Sequence, residues 1–160
     1  MEIVAVIEIP KGSRNKYEAD HDTGVIWLDR VLFTATQYPA DYGYVPDTLA
    51  DDGDPLDVLV LGDEPTFPGC HIRARAVAVF QMSDEKGRDT KVLSVPATDP
   101  RWGSVHDIGD LPPFLLEEIR HFFEVYKQIE PGKETFVQGW EGAAAAAEEV
   151  ERARHRVSST

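Results

Sequence analysis

The segment Asp52-Gly53-Asp54-Pro55-Leu56-Asp57 runs straight into Val58-Leu59-Val60-Leu61. Three carboxylates fall within six residues, and no cation sits among them. Like charges that close repel unless solvent or a cation absorbs the repulsion. Gly53 and Pro55 impose a bend, and the apolar run after it reads as a buried strand. Asp57 therefore enters the strand, while Asp52 and Asp54 ride on the turn that feeds it. Carboxylate oxygens on a stiff turn suit a hard divalent cation, Mg²⁺ or Ca²⁺. The same residues also make an ordinary solvated turn, so the rest of the chain has to decide. An EF-hand loop is excluded. Counted from Asp52, its fifth, sixth and twelfth positions hold Leu56, Asp57 and Asp63 rather than an oxygen ligand, Gly and Glu.

A chain of 160 residues reads as one domain, 1–160, long enough for a sizeable core. Its 42% hydrophobic and 28% charged residues are those of an ordinary soluble globular protein. No apolar run approaches a membrane span. Cys70 is the single cysteine, which excludes an intramolecular disulfide, and Met1-Glu2-Ile3-Val4 lacks the basic region of a secretory signal. The expected compartment is the cytoplasm. A net charge of −13 argues against a nucleic-acid or anionic-membrane partner. It leaves room for a small polyanion bound through metal ions.

Val4 to Pro10 reads as a strand buried on both faces, with Glu8 as the anomaly, since a carboxylate in an apolar run needs a partner. Lys16-Tyr17-Glu18 and Val25 to Leu32 form a hairpin around the turn at Asp20 to Gly24, so Lys16, Glu18 and Arg30 can converge. His21 in that turn reads as a solvent-exposed residue. Tyr38 to Tyr44 places three tyrosines around Pro and Gly, too irregular for a simple strand. His71 to Met82 is a long strand, and Asp84 to Lys91 is the charged tip of a hairpin returning through Val92 to Pro96. Asp84 and Asp89 flank the tip, with Lys91 two residues beyond Asp89 on the same face. Asp110 is placed to cap a helix opened by Pro112 and Pro113, with Leu115, Ile119, Phe122 and Tyr126 at helical spacing. Trp140-Glu141-Gly142 leads a second helix, Ala143 to about Arg156, with Ala146, Val150 and Ala153 on one face. Many strands followed by two helices give an α+β fold on an antiparallel barrel or sheet.

The unexplained polar residues form a set. The acids are Glu8, Asp52, Asp54, Asp57, Asp84 and Asp89; the cations are Lys16, Arg30, Lys91 and Lys127; the hydroxyls are Tyr42 and Tyr126. Brought together, the acids would hold several Mg²⁺ ions and the cations and tyrosines a phosphate group. A spare carboxylate then suits hydrolysis of a phosphoanhydride by a metal-activated water, with no covalent nucleophile.

The chain resembles the soluble inorganic pyrophosphatases of family I, bacterial type. Asp52-Gly53-Asp54-Pro55-Leu56-Asp57-Val58 matches the family's signature of three aspartates. The match continues through Ile7-Glu8-Ile9-Pro10, Lys16-Tyr17-Glu18, Asp29-Arg30, Tyr38-Pro39, Tyr42-Gly43-Tyr44, Asp84-Glu85, Gly87, Asp89, Lys91, His121-Phe122-Phe123, Tyr126-Lys127 and Trp140. The resemblance implies a five-stranded, OB-like antiparallel β-barrel with flanking C-terminal helices. It implies that Asp52, Asp57, Asp84 and Asp89 ligate Mg²⁺ with Glu8 assisting, that Asp54 is the general base, and that Lys16, Arg30, Tyr42, Lys91, Tyr126 and Lys127 hold the phosphates. The substrate would be pyrophosphate as its magnesium complex. The implied assembly is a homohexamer, with His121 on a contact helix. Val125 departs from the commoner pattern, in which a second histidine stands there.

Other classes fare worse. An OB-type nucleic-acid module needs a basic groove with stacking aromatics, and this chain is acidic. A structural Ca²⁺-binding protein leaves Lys16, Arg30, Lys91 and Lys127 idle. A nucleotide phosphohydrolase needs a base pocket, of which the sequence gives no sign.

Overall fold

The computed structural model describes all 160 residues. Strand β1 (Glu2–Ile9) is covered on both faces only in its middle: Glu2 and Val4 are exposed, while Ala5, Val6 and Ile7 are buried in succession. It pairs antiparallel with β4 (Asp41–Val45) and with the first half of β6 (His71–Asp84). From β4 the sheet continues through β5 (Leu56–Val60) and β7 (Gly87–Pro96) to β6, which closes a ring of five strands back onto β1. This is the expected barrel, with one difference: β5 and β7 run parallel, so the sheet is mixed. The hairpin of β2 (Asn15–Ala19) and β3 (Ile26–Val31) forms a separate two-stranded sheet.

Alternation along the strands sorts the core into two clusters. Leu59 and Leu93 point into one with Phe80, Tyr38 and Tyr42, and helix α1 (Pro113–Val125) seals it with Ile119, Phe122 and Phe123. Val58, Val60 and Val92 point into the other, where helix α2 (Ala143–Ser158) lays down Ala146, Val150 and Ala153. Those three residues are the face expected from their spacing.

The structure corrects three local readings. Asp41–Val45 is a regular strand despite its tyrosines, because Gly43 lets β1 approach. A Cβ there would sit 1.9 Å from the Val6 carbonyl oxygen. Residues Thr135–Gly142 form an additional strand, β8, antiparallel to the far half of β6, so Trp140 lies in a strand before α2 begins. Asp110 does not cap α1, whose N-terminus is Pro112 without a side-chain cap. Its carboxylate instead accepts the His106 and Asp107 N–H groups at 3.0 and 3.1 Å, closing a short turn at 108–110.

Candidate active site

Strand irregularities aim the site. Ile7 stands opposite Gly43 and Ile9 opposite Tyr42, which leaves Glu8 as the extra residue of a bulge. Such bulges re-aim a side chain. Glu8 Oε2 accepts the Ala19 N–H of β2 at 2.7 Å. Burial pushes Glu8 up to about 7, against the pull of that hydrogen bond, and the charge of Asp57 adds to the rise.

The parallel register of β5 and β7 sets Asp57 beside Lys91. Lys91 Nζ donates to Asp57 Oδ2 at 2.9 Å, to both Asp89 oxygens at 3.1 Å and to the Tyr42 hydroxyl at 2.7 Å. That hydroxyl donates onward to Asp57 Oδ2 at 2.8 Å. Lys91 is only 1% exposed. Burial opposes its charge, but Asp57 and Asp89 outweigh burial and hold the ammonium well above the ordinary lysine range. Burial raises Asp57 despite Lys91, with the charge of Asp89 adding to it. At Asp89 burial also pulls upward, and there Lys91 wins and holds the carboxyl low.

At the β6–β7 tip Asp84 stands opposite Gly87. One of its oxygens accepts the Lys86 N–H at 2.8 Å, and the other lies 3.8 Å from Lys127 Nζ. Burial, then the charge of Lys91, lowers the Lys127 ammonium, which sits 5.1 Å over the Tyr126 ring. Tyr126 is buried at the end of α1, and burial raises its hydroxyl.

On the acidic turn Gly53 takes φ +88°, a left-handed conformation natural to glycine. Asp52 Oδ1 accepts the Asp54 N–H at 3.0 Å, and burial raises the Asp52 carboxyl. Asp54 is exposed. Among the six acids its carboxylate alone has no protein partner: the others accept from Ala19, Asp54, Lys91 or Lys86.

One cleft of about 420 Å³ is lined by Glu8, Lys16, Tyr42, Asp52, Asp54, Asp57, Asp84, Asp89, Lys91, Tyr126 and Lys127. Of the twelve acids, cations and hydroxyls collected from the sequence, only Arg30 is not among its lining. Arg30 is clamped by two acids, Asp29 and Glu130, to which the sequence assigned no role. Its Nη1 donates to Asp29 at 2.5 Å, and its Nε lies 2.8 Å from the buried Glu130 of the loop after α1. Asp29 is also 3.2 Å from Lys16 Nζ. Its place next to Arg30 in a strand was a usable signal; Glu130, a hundred residues away, gave none. His21 is exposed, as expected, but it lies at the cleft with its ring edge-on to Tyr44, 4.6 Å between centroids.

The donor set is of the chemical type a hard divalent cation takes, although no three of its carboxylates converge on one point. It offers carboxylate oxygens from β1, from β5 and the turn into it, from β6 and from β7, and burial raises Glu8, Asp52 and Asp57, the last despite Lys91. Acids interleaved with lysines and tyrosines on a closed barrel define an enzyme that handles a small, densely charged anion.

Comparison with known proteins narrows the class. The family model described as inorganic pyrophosphatase matches residues 5–158. An inorganic pyrophosphatase of Streptomyces coelicolor is 58% identical over 98% of this chain and 96% of its own length. One from Methanosarcina acetivorans is 57% identical over 94% and 89%. Among solved structures, the Thermus thermophilus inorganic pyrophosphatase superposes with a TM-score of 0.95 at 50% identity, covering 98% of this chain and 91% of that one. The Helicobacter pylori inorganic pyrophosphatase gives 0.96 at 44%, covering 98% and 94%. The chain belongs to the inorganic pyrophosphatase family and is an enzyme that hydrolyses pyrophosphate.

Proposed function

We propose that the chain hydrolyses pyrophosphate, taken as its magnesium complex, to two orthophosphates, with several Mg²⁺ ions per site and Asp54 as general base. The observation that carries this reading is the partnerless carboxylate of Asp54 in a cleft whose other acids are all engaged. An exposed, unpaired carboxylate is free to take the proton of the attacking water. Asp52, Asp57, Asp84 and Asp89 hold the cations, with Glu8 assisting. When bound, the cations lower the pKa of water and neutralise phosphate charge. Lys16, Lys91 and Lys127 receive the phosphate oxygens, Lys91 from a position fixed by three partners. Tyr42 and Tyr126 supply hydroxyls, and Arg30 joins when phosphate competes for it against Asp29 and Glu130.

The working unit is a single domain, 1–160, and we infer a cytoplasmic homohexamer. The assembly is supported by the family resemblance and by an uncovered apolar run on β3, where Trp27 is 64% and Leu28 55% exposed. No helix is long and apolar enough to cross a membrane.

The test is phosphate release from pyrophosphate with Mg²⁺ and with EDTA, for wild type and Asp54→Asn. Mg²⁺-dependent release that falls about a hundredfold or more in the variant is expected. Unchanged release in the variant moves the base elsewhere, and equal release in EDTA removes the metal.

A further inference from the structure

We propose that Arg88 and Arg156, acting through Asp51, are positioning residues that set the acidic turn and with it the affinity of the site for divalent cations. The inference rests on reading Asp52 as a cation ligand. The turn needs external support. Asp51, Asp52, Gly53 and Asp54 are all exposed, and the turn's backbone is joined only locally, Gly53 N–H to Ala50 O at 3.1 Å and Ala50 N–H to Asp54 O at 2.7 Å.

The support comes from behind the cleft. Asp51 Oδ2 accepts from Arg88 Nη1 of β7 at 3.0 Å, and Asp51 Oδ1 lies 2.5 Å from Arg156 Nη2 of α2. Arg156 also donates to the Leu49 carbonyl at 3.1 Å, and the Leu49 N–H donates to Ala153 O of the same helix at 2.9 Å. Arg88 in turn donates to Glu149 at 3.0 Å. Glu149 is an anomaly that the proposed chemistry does not use: it is 3% exposed, on the face of α2 that carries Ala146, Val150 and Ala153. Only the Glu149 end of this pair is buried, the Arg88 side chain being 38% exposed, so the pair ties a buried carboxylate of α2 to the surface of β7. That contact links α2 to β7, and Arg88 and Arg156 extend the link to Asp51. The network backs directly on the ligand set. A small, partly open pocket has Asp51, Arg88 and Glu149 along its wall together with Asp52, Asp57 and Asp89.

Positioning and simple electrostatics predict opposite signs. Removing the charge of Arg156 lowers the positive potential near the acids, which by itself tightens cation binding. Releasing the turn weakens it, and loss of such outer partners lowers metal affinity by about tenfold or more. The experiment is a calorimetric titration of Mg²⁺ into the substrate-free protein, for wild type, Arg156→Gln and Asp52→Asn, with thermal unfolding in EDTA as the check on folding. The expected result is a folded Arg156→Gln whose Mg²⁺ Kd is raised about tenfold, while kcat at saturating Mg²⁺ stays within about twofold. Arg156→Lys should recover part of the affinity. If Arg156→Gln fails to fold, Arg88→Gln, which keeps the Arg156–Asp51 pair, carries the same expectation. Unchanged or tighter Mg²⁺ binding in the folded arginine variant, with Asp52→Asn weakened, overturns the positioning role alone. Unchanged binding in Asp52→Asn removes the ligand reading, and this proposal with it.

Discussion

Lys91→Met removes the one cation buried between Asp57 and Asp89. The wild-type ammonium reaches Asp57 at 2.9 Å and Asp89 at 3.1 Å with 2% of its side chain exposed, against 29% at Asp57 and 14% at Asp89, so solvent screens the ammonium itself little. Methionine keeps the length and the contact with the Tyr42 and Phe123 rings, over which Nζ sits at 5.1 Å. What is lost is the charge, leaving two carboxylates facing each other. Breaking a buried pair by removing one partner costs about 3–5 kcal/mol. For a protein of this size that amounts to a fall in Tm of about 6–20 °C. The assay is thermal unfolding in EDTA at pH 8 and pH 5. Without Lys91, burial and mutual repulsion raise both carboxyls, so protonation relieves the variant as pH falls and the deficit should be smaller at pH 5. A Tm within about 2 °C of wild type at pH 8, or an equal deficit at both pH values, would refute the argument.

Other perturbations test other parts of the site. Glu8 is pushed from 4.5 up to about 7 in the folded protein, so between those values the folded state binds the extra proton. Its contribution to stability is complete below pH 4.5 and is lost as pH rises through 7. Glu8→Gln in EDTA should therefore lack this loss and be more stable than wild type at pH 8, by about 2 kcal/mol; denaturant midpoints against pH measure it, and parallel curves would contradict it. Gly43→Ala forces a Cβ to within 1.9 Å of the Val6 carbonyl, and separation of β1 from β4 should cost about 3 kcal/mol, read by urea unfolding. Tyr42→Phe deletes the hydroxyl between Lys91 and Asp57; kcat/KM should fall about tenfold, with a stability loss of about 1–2 kcal/mol.

Much of the architecture is legible where local chemistry and tertiary role agree. The acidic turn delivers Asp57 into β5 as the Gly53–Pro55 bend requires, and the β6–β7 tip gathers Asp84, Asp89 and Lys91 through hairpin register. Ala146, Val150 and Ala153 mark the buried face of α2 by spacing alone. Strand β8 is hidden because its period is broken. Gly139 and Gly142 carry no side chain, Gln138 is the extra residue of a bulge, and Phe136 is 56% exposed. The parallel pairing of β5 with β7 follows from closure of the ring, which no local pattern records. Gly43 looks like a strand breaker until β1 lies across it. Glu130 and Glu149 carry no local signal, and only packing shows that they are buried against arginines.

The most direct test of the metal-centred account is a crystal structure with Mn²⁺ and pyrophosphate, read by anomalous scattering. The account predicts several anomalous peaks within ligand distance of Asp52, Asp57, Asp84 and Asp89, with a water in reach of Asp54. Peaks confined to other residues, or an ordered pyrophosphate in this cleft with no metal beside it, would contradict it.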